Sequence, residues 1–284
     1  MVACYSSERE DIAAQVYIPF LEIETYEYPP QKPEPDEIQE ELYESEYIQE
    51  ESYNDEYYSL DMPIFSAIPQ TPEAIRNPEF DPNIPMIALT FDDGPSDYTG
   101  LILEILYRYG ARATFCIIGR TANGRQSVIR RIVEYGSEVL GHSWNHRRFT
   151  EIDADELTWQ ILDTSNLIYR ITGQRPPRLM RPPYGDIDDD ARLVAERLGY
   201  SFLMWSLDPR DWEFRDAERV YDNIMSQIRA GAIIVLHDTR ATTAEAMERV
   251  IPSLIEQGFQ LVTASELIAH HYGSLIPGRL YRGH

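Results

Sequence analysis

The chain has 284 residues, a formal net charge of −23 at pH 7 and two cysteines, Cys4 and Cys116. Acidity on this scale argues against nucleic acid and anionic membrane surfaces as partners, because phosphate binding needs clustered Lys or Arg. Two cysteines in such different surroundings make no disulfide framework, and no run of about 18 apolar residues is present to cross a bilayer.

Residues 1–83 carry 21 Asp and Glu against Arg9, Lys32 and Arg76, a net of −18, so residues 84–284 hold only −5. The same segment contains ten of the 19 prolines and Tyr/Glu-rich runs at 40–47 and 50–58. It has no sustained apolar period and reads as an acidic leader, irregular or loosely wrapped on a folded domain spanning 84–284. Val2-Ala3-Cys4 resembles the end of a lipoprotein signal, which would make Cys4 a lipid anchor and the leader a tether. The apolar stretch that should precede such a cysteine is missing, and the plain alternative is a chance Cys after small residues.

From residue 84 onward short apolar runs alternate with amphipathic segments, the pattern of repeated βα units. Strands are predicted at 86–91, 113–118, 138–140, 179–180, 201–205, 232–236 and 260–262. Helices are predicted at 98–109, 125–135, 155–172, 189–198, 217–229, 243–257 and 264–270. Gly110, Gly136, Gly173, Gly199, Gly231 and Gly258 follow six of these helices, where a left-handed residue is expected. Seven strands with seven helices predict an α/β fold, a barrel of about seven parallel strands, with chemistry in the loops after the strands. Cys116 falls in an apolar strand and reads as a small buried thiol.

The loop after the first strand opens with Thr90-Phe91-Asp92-Asp93-Gly94-Pro95. Adjacent carboxylates at the end of a buried strand repel, so one is expected to bind a metal while the other is free to act as a base; charge alone does not say which. HSWNH (142–146) follows the third strand, and two histidines four apart on a helical turn would share a face, as metal ligands require. RPPY (181–184) follows the fourth, with Arg181 able to clamp a carboxylate bidentately. DPRDW (208–212) follows the fifth, and IVLHD (234–238) ends the sixth with His237 available as a proton donor. Three near-misses carry nothing. Gly141 to Asn145 lacks the final Gly of a nucleophile elbow, which leaves Ser143 a bystander. The run from Asp186 has Ala191 and Arg197 where a calcium loop needs Gly and Glu, and its aspartates instead suit a helix cap. His270, His271 and His284 lie outside any motif.

In this order and chemistry the five motifs resemble those of the NodB-type polysaccharide deacetylases, carbohydrate esterase family four; the likeness covers about residues 84–270. The resemblance implies a distorted (β/α) barrel and a hydrolase of the cell envelope that removes acetyl groups, either from the nitrogen of N-acetylglucosamine units, a carbon–nitrogen bond other than a peptide bond, or from the ester oxygens of acetylated xylan. It implies one divalent metal, zinc before cobalt, nickel or manganese, held by Asp93, His142 and His146. By the same likeness Asp92 is the general base oriented by Arg181, and His237 is the general acid oriented by Asp211. The Tyr184 backbone N–H would bind the oxyanion, with Trp212, Val235 and Pro183 against the acetyl group. Amide hydrolysis needs a strong nucleophile near neutral pH, which a cation-acidified water supplies, and a protonated leaving amine, which an acid supplies.

The expected substrate is a β-1,4-linked N-acetylglucosamine polymer, peptidoglycan first, with chitooligosaccharide or acetylxylan as alternatives, acted on outside the cytoplasmic membrane. Asp rather than Asn at 93 sets the chain with metal-dependent enzymes rather than with the N-acetylmuramic-acid-specific relatives that carry Asn. A small-molecule amide or imide hydrolase and a non-catalytic glycan-binding pseudoenzyme are the readings from other classes. The second would be expected to lack a ligand or the acid.

Overall fold

Strand β1 (Met86–Asp92) is buried along its whole length, and its side chains divide between two cores. Ile87, Leu89 and Phe91 pack into an outer cluster with the helices, while Met86 and Ala88 pack inside the sheet. This period-two division is what a strand covered on both faces must show. The computed structural model describes residues 81–284. Within it follow β2 (Thr114–Ile117), β3 (Glu138–Gly141), β4 (Leu179–Met180), β5 (Ser201–Leu203), β6 (Ile233–His237), β7 (Gln260–Leu261) and β8 (Leu280–Tyr281). The helices among the described residues are α1 (Thr99–Arg108), α2 (Gln126–Glu134), α3 (Ala154–Thr172), α4 (Asp189–Leu198), α5 (Ala217–Met225), α6 (Ala241–Glu256) and α7 (Ala264–Tyr272). Cys4 and the expected leader up to residue 80 lie outside the described residues.

The strands are all parallel, in the order β6-β1-β2-β3-β4-β5-β8, and β7 pairs with Met86 and Ile87 at the start of β1. The two ends of this curled sheet are joined irregularly: Leu207 pairs with Ile234, and Ala232 with Gly283. That seam is the distortion of the barrel. The seven expected strands are present, with β5 two residues shorter than expected and α5 four. An eighth strand adds to them: Leu280 and Tyr281 continue the sheet beside Phe202 and Leu203, although the surrounding Gly/Pro-rich sequence shows no alternation long enough to announce a strand.

Helix ends follow local chemistry. Asp153, Asp188 and Asp216 accept backbone N–H bonds at the starts of α3, α4 and α5, and Thr263 forms a capping box with Glu266 on α7. Gly199 closes α4 at φ 75°, where a Cβ would stand 2.7 Å from the Arg178 guanidinium that caps Leu198. Tyr281 is 1% exposed in the inner core and caps the Ile276 N–H through its hydroxyl at 2.9 Å. Tyr281→Ala is expected to cost about 3 to 5 kcal/mol, the range for deleting a buried aromatic. A fall in urea midpoint at unchanged m-value checks it.

Candidate active site

The alternation in β1 carries Thr90 and Asp92 to the inner face, and the strand ends there. Asp92 is 3% exposed, and its register partner on β6 is His237. Arg181, fully buried after β4, donates from Nη1 to Asp92 Oδ1 at 2.8 Å and to Thr90 Oγ1 at 2.6 Å. Its Nε and Nη2 donate to the carbonyls of Leu203 and Met204 at 3.2 and 3.1 Å. The clamp therefore gives the carboxylate one bond and not the expected two. Lying across the barrel interior, the guanidinium has its other edge taken by the end of β5.

Asp93 stands at φ 73°, a left-handed backbone that a non-glycine residue seldom adopts. The turn brings its Oδ1 within 3.4 Å of His142 Nε2 and 3.2 Å of His146 Nε2. The two histidines do not sit on a helical turn as the spacing suggested: Ser143 and His146 both take φ 65° and the loop is non-helical. Polar side chains shape it instead. Ser143 Oγ accepts the His146 N–H at 2.9 Å. Gln160, fully buried on α3, accepts from the Trp144 and Asn145 N–H groups and donates to Asn145 Oδ1 at 2.6 Å.

These three residues form a cluster with mutually facing ligand atoms, and its chemistry fits a cation. His142 Nδ1 meets the Arg181 carbonyl oxygen at 2.8 Å, which places its proton there and leaves the Nε2 lone pair toward Asp93. Asp93 Oδ1 is a buried acceptor with no hydrogen-bond donor directed at it. Burial works to raise the Asp93 carboxyl, but the two imidazoles outweigh it and hold the group well below the usual carboxylate range. Burial lowers His142 while Asp92 and Asp93 raise it, and the carboxylates prevail. Lone pairs facing lone pairs, among groups that favour positive charge, are what a divalent cation satisfies.

Across the β1–β6 pair, Asp211 is 1% exposed, its Oδ2 accepting the His237 N–H and its Oδ1 meeting His237 Nδ1, at 2.7 and 2.8 Å. Thr243 Oγ1 adds a third bond to Asp211 at 2.7 Å. Nε2 is thereby left as the working nitrogen of His237. Burial lowers the imidazole pKa, yet Asp211 and then the Asp92 and Asp93 charges push it up to about 9. Tyr184 takes φ 60° in a 3₁₀ turn after the two prolines. Its ring is 57% exposed, 4.6 Å from His146, with the Arg148 guanidinium 4.1 Å away. Trp212 is half exposed next to Asp211, and Val235 and Pro183 are buried beneath the site loops. His271 and His284 pack together at the opposite end of β6 from His237.

Sequence reasoning missed the roles of four contributing residues: Gln160 and Thr243, which lie outside the five motifs, and Thr90 and Asp238, which lie inside them without an assigned role. Gln160 had a signal, since it occupies the apolar stripe of α3 with Leu157, Ile161, Thr164 and Ile168. Asp238 follows His237, is wholly buried and is bonded to Thr99. Burial, opposed by that bond, pushes its carboxyl up to about 7.

The polysaccharide deacetylase family model matches residues 80–203. A peptidoglycan-N-acetylglucosamine deacetylase of Bacillus cereus is 33% identical over 196 residues, covering 67% of this chain and 91% of the relative. The chain belongs to the polysaccharide deacetylase family. The family match takes in Asp92 through Tyr184, while Asp211 and His237 lie beyond its end and stand here on geometry. The peptidoglycan-N-acetylmuramic acid deacetylase PdaC of Bacillus subtilis is 40% identical over 188 residues, 66% of this chain but only 39% of that relative, so the chain spans about two fifths of its length. The solved structure of PdaC superposes with a TM-score of 0.64 at 39% identity, covering 67% of this chain and 93% of that one. A family 4 acetyl xylan esterase from Clostridium thermocellum, solved in complex with a cobalt ion, gives 0.65 at 30% identity, covering 70% and 98%.

Gln160→Leu would leave the Trp144 and Asn145 N–H groups without their acceptor. The expected loss is about 1 to 3 kcal/mol, read as a lowered denaturation midpoint.

Proposed function

We propose that residues 84–284 hydrolyse the acetamide of N-acetylglucosamine units in a β-1,4-linked glycan, peptidoglycan first, releasing acetate. The observation that carries this reading is the apposition of two proton-handling pairs, Arg181–Asp92 and Asp211–His237, across adjacent strands beside the Asp93, His142 and His146 cluster. Those three residues would hold one divalent cation, zinc before cobalt, nickel or manganese. When bound, it supplies Lewis-acid polarisation of the acetyl carbonyl and a nucleophile near neutral pH.

The chain's own groups do the rest. Asp92, fixed by Arg181, accepts the proton of the attacking water. The Tyr184 N–H faces the oxyanion, a donor worth about 3 to 4 kcal/mol when well placed. His237 protonates the leaving nitrogen, a step worth roughly 100- to 10,000-fold. Trp212, Val235 and Pro183 shape the acetyl slot.

Relatives named for peptidoglycan support a cell-wall substrate, which would lie outside the cytoplasmic membrane, with the leader as tether and Cys4 as the candidate lipid anchor. A second reading has a specific observation behind it: PdaC, 40% identical over 188 residues, is named for N-acetylmuramic acid, which makes that sugar of peptidoglycan a second candidate. Chitooligosaccharide and acetylxylan are the remaining glycans for the same site.

Chelation should abolish acetate release from peptidoglycan or chitin oligomers, and added zinc should restore it; chelator-indifferent turnover would sink the mechanism. Asp92→Asn is expected to keep zinc while losing about 100- to 10,000-fold in kcat, whereas His142→Ala loses both; equal zinc loss in the two would mean the aspartates are reversed.

His237 in the folded chain lies above its ordinary value of 6.5. Its bond to Asp211 therefore contributes fully below about 6.5 and fades as pH rises through about 9. In the metal-free protein an imidazole NMR titration should place His237 near 9, and Asp211→Asn should bring it down toward 6.5.

A further inference from the structure

The turn that presents Asp93 is held from two sides. On one, the Gly94 carbonyl accepts the Ile118 N–H at 2.9 Å and Thr121 Oγ1 at 2.8 Å, which fixes it to the end of β2. On the other stands Asp238, the residue after His237 and fully buried. Its backbone carbonyl accepts from Ser96 Oγ at 2.5 Å, and its Oδ2 accepts from Thr99 Oγ1 at 2.5 Å. Thr99 Oγ1 in turn accepts the Ser96 N–H at 2.7 Å, and Ser96 Oγ accepts the Tyr98 N–H at 3.0 Å.

The Asp238 carboxylate also lies directly over Gly94. A Cβ built there would stand 2.2 Å from Oδ2 and 2.5 Å from Oδ1, so only glycine fits beneath it. Oδ1 is buried without a hydrogen-bond donor. Thr99 is itself fully buried, so the Asp238 carboxylate meets this partner only inside the fold, and there it packs directly against the Gly94 turn.

We propose that Asp238 is a positioning residue that locks the Gly94–Ser96 turn to the end of β6. Through it, the carboxylate of Asp93 on one strand and the imidazole of His237 on the next keep a fixed separation. Both neighbours of the reaction centre are then set by a single buried side chain that touches neither substrate nor cation. The proposal rests on the functional reading above for the roles of Asp93 and His237, but zinc affinity tests it without turnover.

Zinc binding to the full chain would be measured by competition with a chromophoric chelator, alongside the imidazole NMR signals of His142, His146 and His237 in the metal-free protein. Asp238→Ala is expected to weaken zinc binding by about 10- to 100-fold, the range for residues that orient metal ligands. It should also shift all three imidazole signals and lower kcat with little change in KM. Asp238→Asn, whose amide oxygen can still accept from Thr99, should recover most of the loss. Thr99→Val, which removes that donor and leaves the carboxylate in place, should move zinc affinity in the same direction by less, and it serves if Asp238→Ala does not fold. Unchanged zinc affinity and imidazole signals in a folded Asp238→Ala or Thr99→Val protein would overturn the proposal. Tight zinc binding without acetate release in the unaltered chain would instead overturn the functional reading and leave this one standing.

Discussion

A guanidinium with no access to water must find partners for its N–H groups, and Arg181, at the end of β4, places four of its five in bonds to β1 and the end of β5. It binds Asp92 and Thr90 on β1 and the carbonyls that end β5, while the Thr90 hydroxyl donates to the Ile234 carbonyl on β6 at 2.6 Å. Its backbone oxygen fixes the tautomer of His142. An unpaired charge at this depth would be strongly destabilising, so the carboxylate of Asp92 is as much a condition of burying Arg181 as the reverse. Lysine could not take the place, because a point charge cannot reach a carboxylate, a hydroxyl and two carbonyls lying in different directions.

Around that fixed point the loops adopt backbone shapes that cost energy. Asp93, Ser143, His146, Tyr184 and Arg210 are non-glycine residues with positive φ; Asp93 and His146 belong to the metal-ligand cluster, and Ser143 and Tyr184 lie beside it. Each costs about 1 to 3 kcal/mol unless its surroundings enforce it. Enforcement comes from Gln160 for the histidine loop and from the two prolines before Tyr184. The two cores flanking the strands supply the surplus stability that lets the rim be strained.

The elements announced themselves in the sequence where one local rule acted alone. Burial on both faces made the strands legible as apolar runs, and glycines with positive φ marked the helix ends, as at Gly173 and Gly199. The site residues stood out because their chemistry is uncommon after successive strands. Failures came where tertiary contacts overrode spacing. The four-residue gap between His142 and His146 matched a helical turn, but Ser143 and Gln160 bend the loop another way. Gln160 lies outside the motifs, and Asp238, although inside one, kept its role hidden because its partners Gly94 and Thr99 are distant in sequence. The strand at Leu280 was hidden because two residues carry no period.

Asp92 and His237 are register partners on neighbouring parallel strands. The gap between the proposed base and the proposed acid is therefore inherited from the interstrand repeat of about 4.8 Å, not from any loop. Substitutions in the loops can reshape which glycan enters without altering that gap, and a slip of one residue between β1 and β6 would turn one partner out of the site altogether. In this architecture catalytic spacing is quantised while specificity is continuous, which lets one sheet serve many acetylated polymers.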